Sequence, residues 1–89
     1  MALRLPSLNV LIEFEAVARH LSFKGAAEEL CISPPAISHQ IKVLETHLNK
    51  QLFKRLNRAL ALTSAGQTYY EDISGALVKL HQATDRVIE

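Results

Sequence analysis

The sequence predicts a mainly α fold: three short helices, a two-stranded hairpin, then one long terminal helix. Three observations predict it. Apolar residues recur at three- and four-residue steps through most of the chain, serine stands immediately before three of those runs, and residues 52–63 break the helical period. With 89 residues, 48% of them apolar, the chain has material for one small core and too little for two domains or a large enzyme cleft.

Pro6-Ser7 opens the first helix, with Leu8, Leu11, Phe14, Ala18 and Leu21 on its apolar side and an end near His20. Ser22 caps a shorter second helix, where Phe23, Ala26, Ala27 and Leu30 share a side and the alanines let another helix approach closely; Gly25 weakens it somewhat. After the break at Cys31-Ile32-Ser33, the pair Pro34-Pro35 fits only a helix's first turn, where missing N–H groups cost nothing, so Ser33 is the N-cap of a third helix. Its Ile37, Ile41, Leu44 and Leu48 form a narrow stripe for the core, and Asn49 ends it in a left-handed cap. Residues 52–63 read as a β-hairpin turning around Leu56-Asn57-Arg58. From Thr63 a final helix carries Tyr69, Tyr70, Ile73, Leu77, Leu80, Thr84 and Val87 on one stripe, with Glu71, Asp72, Lys79, Gln82, Arg86 and Glu89 opposite. The chain divides into a body, residues 1–63, and a terminal helix, residues 64–89.

Several chemistries find no support. Cys31 is the only cysteine, which excludes an intramolecular disulfide, and its apolar neighbours predict core filler. His20, His39, His47 and His81 lack ligand-like spacing, so neither a metal nor another cofactor is predicted. A glycine-rich phosphate loop, paired catalytic carboxylates and a nucleophile with its base are all missing from the pattern, which argues against an enzyme. Apolar runs are only a few residues long, too short for a membrane span or a signal-peptide core, and the cytoplasm is the expected compartment.

Charge is uneven. Residues 1–64 hold eight Lys/Arg against five Glu, whereas residues 65–89 hold two Lys/Arg against four acids. The second and third helices, joined by a tight turn, form a helix-turn-helix arrangement, in which one helix braces another against the DNA major groove. At about 100° per residue, Pro35, His39, Lys42 and Thr46 project away from the core stripe of the third helix, with Ser38 on the flank and Glu45 near the stripe edge. The hairpin region adds Lys50, Lys54, Arg55 and Arg58, and no acidic residue falls between positions 46 and 70. A basic wing beside an acid-free helix face suits a polyanion. Ser22 and Lys24 are placed to meet phosphate at a helix N-terminus, although capping explains Ser22 equally well. His39 is open to either base contact or simple exposure, and Arg4 and Arg19 read as ordinary surface charges.

The run Phe23, Ala26-Ala27, Leu30, Ile32-Ser33, Ala36-Ile37-Ser38, Gln40-Ile41, Leu44-Glu45, Leu48, Leu52-Phe53, Arg55, Arg58, Leu62-Thr63 and Gly66 resembles the N-terminal region of LysR-type transcriptional regulators. Leu5-Pro6-Ser7-Leu8-Asn9 and Ala18-Arg19-His20-Leu21-Ser22-Phe23 are similar to the subgroup containing the glycine-cleavage and β-lactamase activators. The resemblance implies a winged helix-turn-helix followed by a linker helix through which two subunits pair. It also implies that ligand response resides in an effector-binding domain outside these residues. That family often has Gln where Pro34 stands and Arg where His39 stands, so readout here shifts toward Ser38, His39, contact of Pro35 with a thymine methyl, and DNA shape.

The predicted partner is therefore double-stranded DNA, met by Ser22, Lys24, Ser33, Pro34, Pro35, Ser38, His39, Lys42, Thr46, Lys54, Arg55 and Arg58. Length argues for a second copy of the chain. A 25-residue helix extends about 37 Å, whereas a body of 63 residues is about 27 Å across, leaving Leu77, Leu80 and Val87 wet unless a partner helix covers them. The stripe from Tyr69 to Val87 is accordingly the expected homodimer contact. The rival reading is a small helical interaction module without a nucleic-acid role.

Overall fold

The computed structural model describes residues 4–88. The elements run α1 (Leu8–His20), α2 (Phe23–Leu30), α3 (Pro34–Leu48), β1 (Phe53–Leu56), β2 (Ala59–Leu62) and α4 (Ser64–Ile88). Local chemistry starts each helix. Ser7 Oγ accepts the Val10 N–H at 3.3 Å, Ser22 Oγ the Gly25 N–H at 2.9 Å and Ser33 Oγ the Ala36 N–H at 3.2 Å. Thr63 does the same for α4, accepting the Gly66 N–H at 3.0 Å. Each hydroxyl satisfies a first-turn donor that the helix itself leaves unpaired.

The first three helices all stop on a left-handed residue other than glycine: Leu21 (φ 50°), Cys31 (φ 58°) and Asn49 (φ 54°). Asn49 follows the expected pattern; the others correct it. Cys31 is not core filler but an exposed helix cap, because the left-handed turn that ends α2 swings its side chain outward. Leu21 is 45% exposed for the same reason, having left the helical period on which the apolar stripe of α1 was built.

The core gathers Phe14, Val17, Ala26, Ile37, Ile41, Leu44 and Leu52. Helix α1 lies against α2, α3 and α4, so its buried face is wider than one stripe and includes Val10, Ala16 and Val17, while Leu8 stays exposed at the rim. Phe14 meets Phe53 at 5.6 Å and Tyr69 at 5.3 Å between ring centroids, both tilted, tying α1 to the hairpin and to α4. Of the α3 stripe, Ile37, Ile41 and Leu44 are buried and Leu48 half-buried. The hairpin is antiparallel with Phe53 opposite Leu62 and Leu56 opposite Ala59, leaving Asn57-Arg58 as the turn.

Helix α4 serves two environments. Tyr69, Tyr70 and Ile73 are half-buried against the core of their own domain, whereas Leu80, Thr84 and Val87 are exposed, Val87 at 85%. Leu77 sits between, half-buried. The molecule is elongated, 46 × 32 × 21 Å. Glu89, the last residue of the expected polar stripe, lies outside the described residues. Among the described residues no helix is long and apolar enough to cross a membrane.

Candidate nucleic-acid interface

Helix α3 presents Pro34, Pro35, His39, Lys42 and Thr46 to solvent, with Ser38 half-buried on the flank. This follows from the period: with Ile37, Ile41 and Leu44 held in the core, residues about half a turn away must face out. Ser33 is exposed too, its hydroxyl engaged as the cap. Lys54, Arg55 and Arg58 stand exposed on the hairpin.

Two clefts join these groups. One runs between α3 and the hairpin and is lined by Ser38, Ile41, Lys42, Phe53, Lys54 and Arg55, among others. The second, between the start of α2 and the hairpin, brings Ser22, Phe23, Arg55 and Arg58 together. The fold thus converges Ser22, Ser38, Lys42, Lys54, Arg55 and Arg58 on one continuous region. Lys24, Pro34, Pro35, His39 and Thr46 line neither cleft.

Three features of the site escaped the sequence reading. The Arg55 guanidinium lies 5.1 Å from the centroid of the Phe23 ring, which itself meets Phe53 at 6.2 Å. Such a cation–π contact contributes about 0.5–1 kcal/mol at an exposed site and holds the cation in a defined place. Glu45, the one carboxylate near the α3 face, turns toward backbone: its Oε2 accepts the N–H groups of Leu52 at 2.8 Å and Phe53 at 3.2 Å. Finally, Arg58 occupies the hairpin turn with φ 59°, a left-handed conformation that costs a side-chain-bearing residue about 1–2 kcal/mol.

Arg19 is exposed as expected but is far from a free charge. It is bidentate to Glu15 (2.8 and 3.0 Å) and again to Glu29 (2.8 and 2.7 Å), and His20 Nε2 lies 2.6 Å from Glu29 Oε1. The Arg19 and His20 hydrogen bonds, in that order, hold the Glu29 carboxyl down to about 2. The Glu15–Arg19 spacing of four was a readable signal; Glu29, ten residues from Arg19, was not. Among the described residues no three His, Cys, Asp or Glu side chains are grouped to hold a metal ion.

A short bracing helix, a polar outward helix and a cationic hairpin beside it define a winged helix-turn-helix of the class that binds nucleic acid. Residues 8–67 match the family of bacterial regulatory helix-turn-helix proteins, lysR family, and the chain belongs to that family. It is 53% identical over 85 residues to the glycine cleavage system transcriptional activator homolog of Haemophilus influenzae, an alignment covering 96% of this chain and 28% of that protein. The chain therefore spans little more than a quarter of that relative's length. The fold is similar to the BenM DNA-binding domain in its complex with catB site 1 DNA, at TM-score 0.87 and 34% identity over 92% of this chain and 91% of that one. It is similar also to the CbnR DNA-binding domain in its DNA complex, at TM-score 0.82 and 33% identity over 92% and 94% of the two chains.

Proposed function

We propose that this domain is the reading head of a cytoplasmic transcriptional regulator and binds duplex DNA sequence-specifically, with α3 in the major groove and the hairpin against the adjacent backbone or minor groove. The observation that carries this reading is the cleft where Ser38 and Lys42 of α3 meet Lys54 and Arg55 of the hairpin, while Glu45 at its edge is turned into backbone hydrogen bonds. Cations and hydroxyls therefore face the partner without an uncommitted carboxylate among them, the arrangement a polyanion requires. Ser22 and Lys24 approach phosphate from the start of α2. Base discrimination falls to Ser38, His39 and Pro35, with Ser33, Pro34 and Thr46 at the margins of the same face.

In this reading residues 1–63 read DNA and residues 64–89 join two copies. The exposed Leu80, Thr84 and Val87, continued by Leu77, supply a self-complementary contact, while Tyr69, Tyr70 and Ile73 anchor the helix to its own body. Response to a small-molecule effector belongs to the longer regulator. Selection of bound sites from a random duplex pool tests both proposals, with recovery of a two-fold symmetric site as the expected result. Binding should weaken steeply with salt, and Lys42→Glu should abolish it with self-association intact. Salt-insensitive binding, or a Lys42→Glu variant that binds normally, would overturn the reading.

A further inference from the structure

The hairpin carries three exposed cations, Lys54, Arg55 and Arg58, and the segment just before β1 joins it to α3. Leu52 is the fixed point of that segment. Its side chain is 1% exposed in the core, its N–H donates to Glu45 Oε2 at 2.8 Å, and its carbonyl accepts the Thr63 N–H at 3.0 Å. The next residue, Phe53, donates to the same Glu45 oxygen at 3.2 Å, and the preceding Gln51 carbonyl accepts the Thr63 hydroxyl at 2.6 Å. One carboxylate rooted on α3 therefore receives both N–H groups at the start of the wing.

We propose that Glu45 is a positioning residue for DNA binding: it sets the angle of the hairpin relative to α3, so that Lys54, Arg55 and Arg58 reach the backbone while α3 is seated in the groove. The inference rests on the reading that α3 and the hairpin grip one duplex. Without the carboxylate the two N–H groups lose their acceptor, and the start of β1 loses these hydrogen bonds to α3 while keeping the core contacts of Leu52 and Phe53, the bonds to Thr63, the Arg55–Phe23 contact and the packing of Leu60 and Leu62 on the core. The hairpin then pivots as a unit, its internal strand pairing intact, and its cations lose register with the phosphates. The role depends on an acceptor at the right reach and not on negative charge, which beside a polyanion is itself unfavourable.

That separation of reach from charge defines the test. Glu45→Gln keeps an oxygen at the same distance and should bind a duplex site much as the unaltered protein does. Glu45→Asp keeps the charge but withdraws it by one methylene, about 1.5 Å, beyond hydrogen-bond range of both N–H groups. It should weaken binding about tenfold and lower the salt slope, as if one or two phosphate contacts were lost, with Glu45→Leu behaving likewise. If only charge mattered, Gln and Leu would both tighten binding and Asp would change nothing.

A double-mutant cycle distinguishes positioning from a general loss of fold, with all variants measured well below their melting temperatures. The Glu45→Asp penalty should shrink toward nothing on a Lys54→Ala, Arg55→Ala, Arg58→Ala background, where the wing has no cation left to position, and persist in full on a Lys42→Ala background. An equal penalty on both backgrounds, a Gln variant as weak as Leu, or an Asp variant that binds normally would each overturn the role of Glu45. If the Lys54→Ala, Arg55→Ala, Arg58→Ala change leaves affinity and salt slope untouched, the wing's contact with DNA fails instead.

Discussion

Gly66 is constrained by space and Arg58 by backbone conformation. A Cβ on Gly66 would lie 2.0 Å from the Leu52 carbonyl oxygen, so the first turn of α4 reaches the wing base only because that position carries no side chain. Gly66→Ala should cost about 3 kcal/mol and lower the melting temperature by roughly 10 °C or more, measured by thermal unfolding. Arg58 instead carries a long side chain through a left-handed turn where glycine would be relaxed. Arg58→Gly should raise the melting temperature by a few degrees, about 1 kcal/mol of relieved strain, while weakening DNA binding and reducing the salt slope by about one. A rise in stability together with a loss of affinity is the diagnostic pair. The sequence marked Arg58 as a basic wing residue, but its strain is set by the pairing of Leu56 with Ala59, which closes the turn in two residues.

Between elements, the ion cluster of Glu15, Arg19, His20 and Glu29 fastens α1 to α2. Because the Glu29 carboxyl is held at about 2 in the folded protein against an ordinary value of 4.5, the folded state favours its ionised form. Its contribution is therefore complete above about pH 4.5 and disappears as the pH falls through about 2. Denaturant titrations across that range should show Glu29→Gln less stable than the unaltered protein near neutrality, with the gap closing toward pH 2. A gap independent of pH would contradict the assignment. The helices themselves were legible, since serine caps and Pro34-Pro35 act over one turn; the ion pair between α1 and α2 was not, because it depends on how two helices cross. Cys31 shows the same limit: apolar neighbours in sequence suggested burial, but the handedness of the cap decided exposure.

At the scale of the whole molecule, α4 reaches past the body that its first half covers, and its apolar stripe continues where that body ends. Leu80→Asp with Val87→Asp should shift the protein to monomer by sedimentation equilibrium without loss of helix content. Binding to a two-half-site duplex should then fall by about a hundredfold or more, and binding to an isolated half-site should scarcely change, because linkage and not contact is lost. Persistence of a dimer in that variant would move the contact elsewhere. The period of α4 was readable along its length, but an apolar stripe looks the same in sequence whether it meets its own core or another chain. What the amino-acid sequence determined alone was the order of elements, the serine N-caps of the first three helices, the outward face of α3 and the basic character of the hairpin, since each rests on chemistry within a turn or two. Tertiary structure alone decided that Glu45 holds the wing, that Phe23 carries Arg55, that Gly66 admits Leu52 and that Arg19 is shared, since each depends on where residues distant in the chain come to lie.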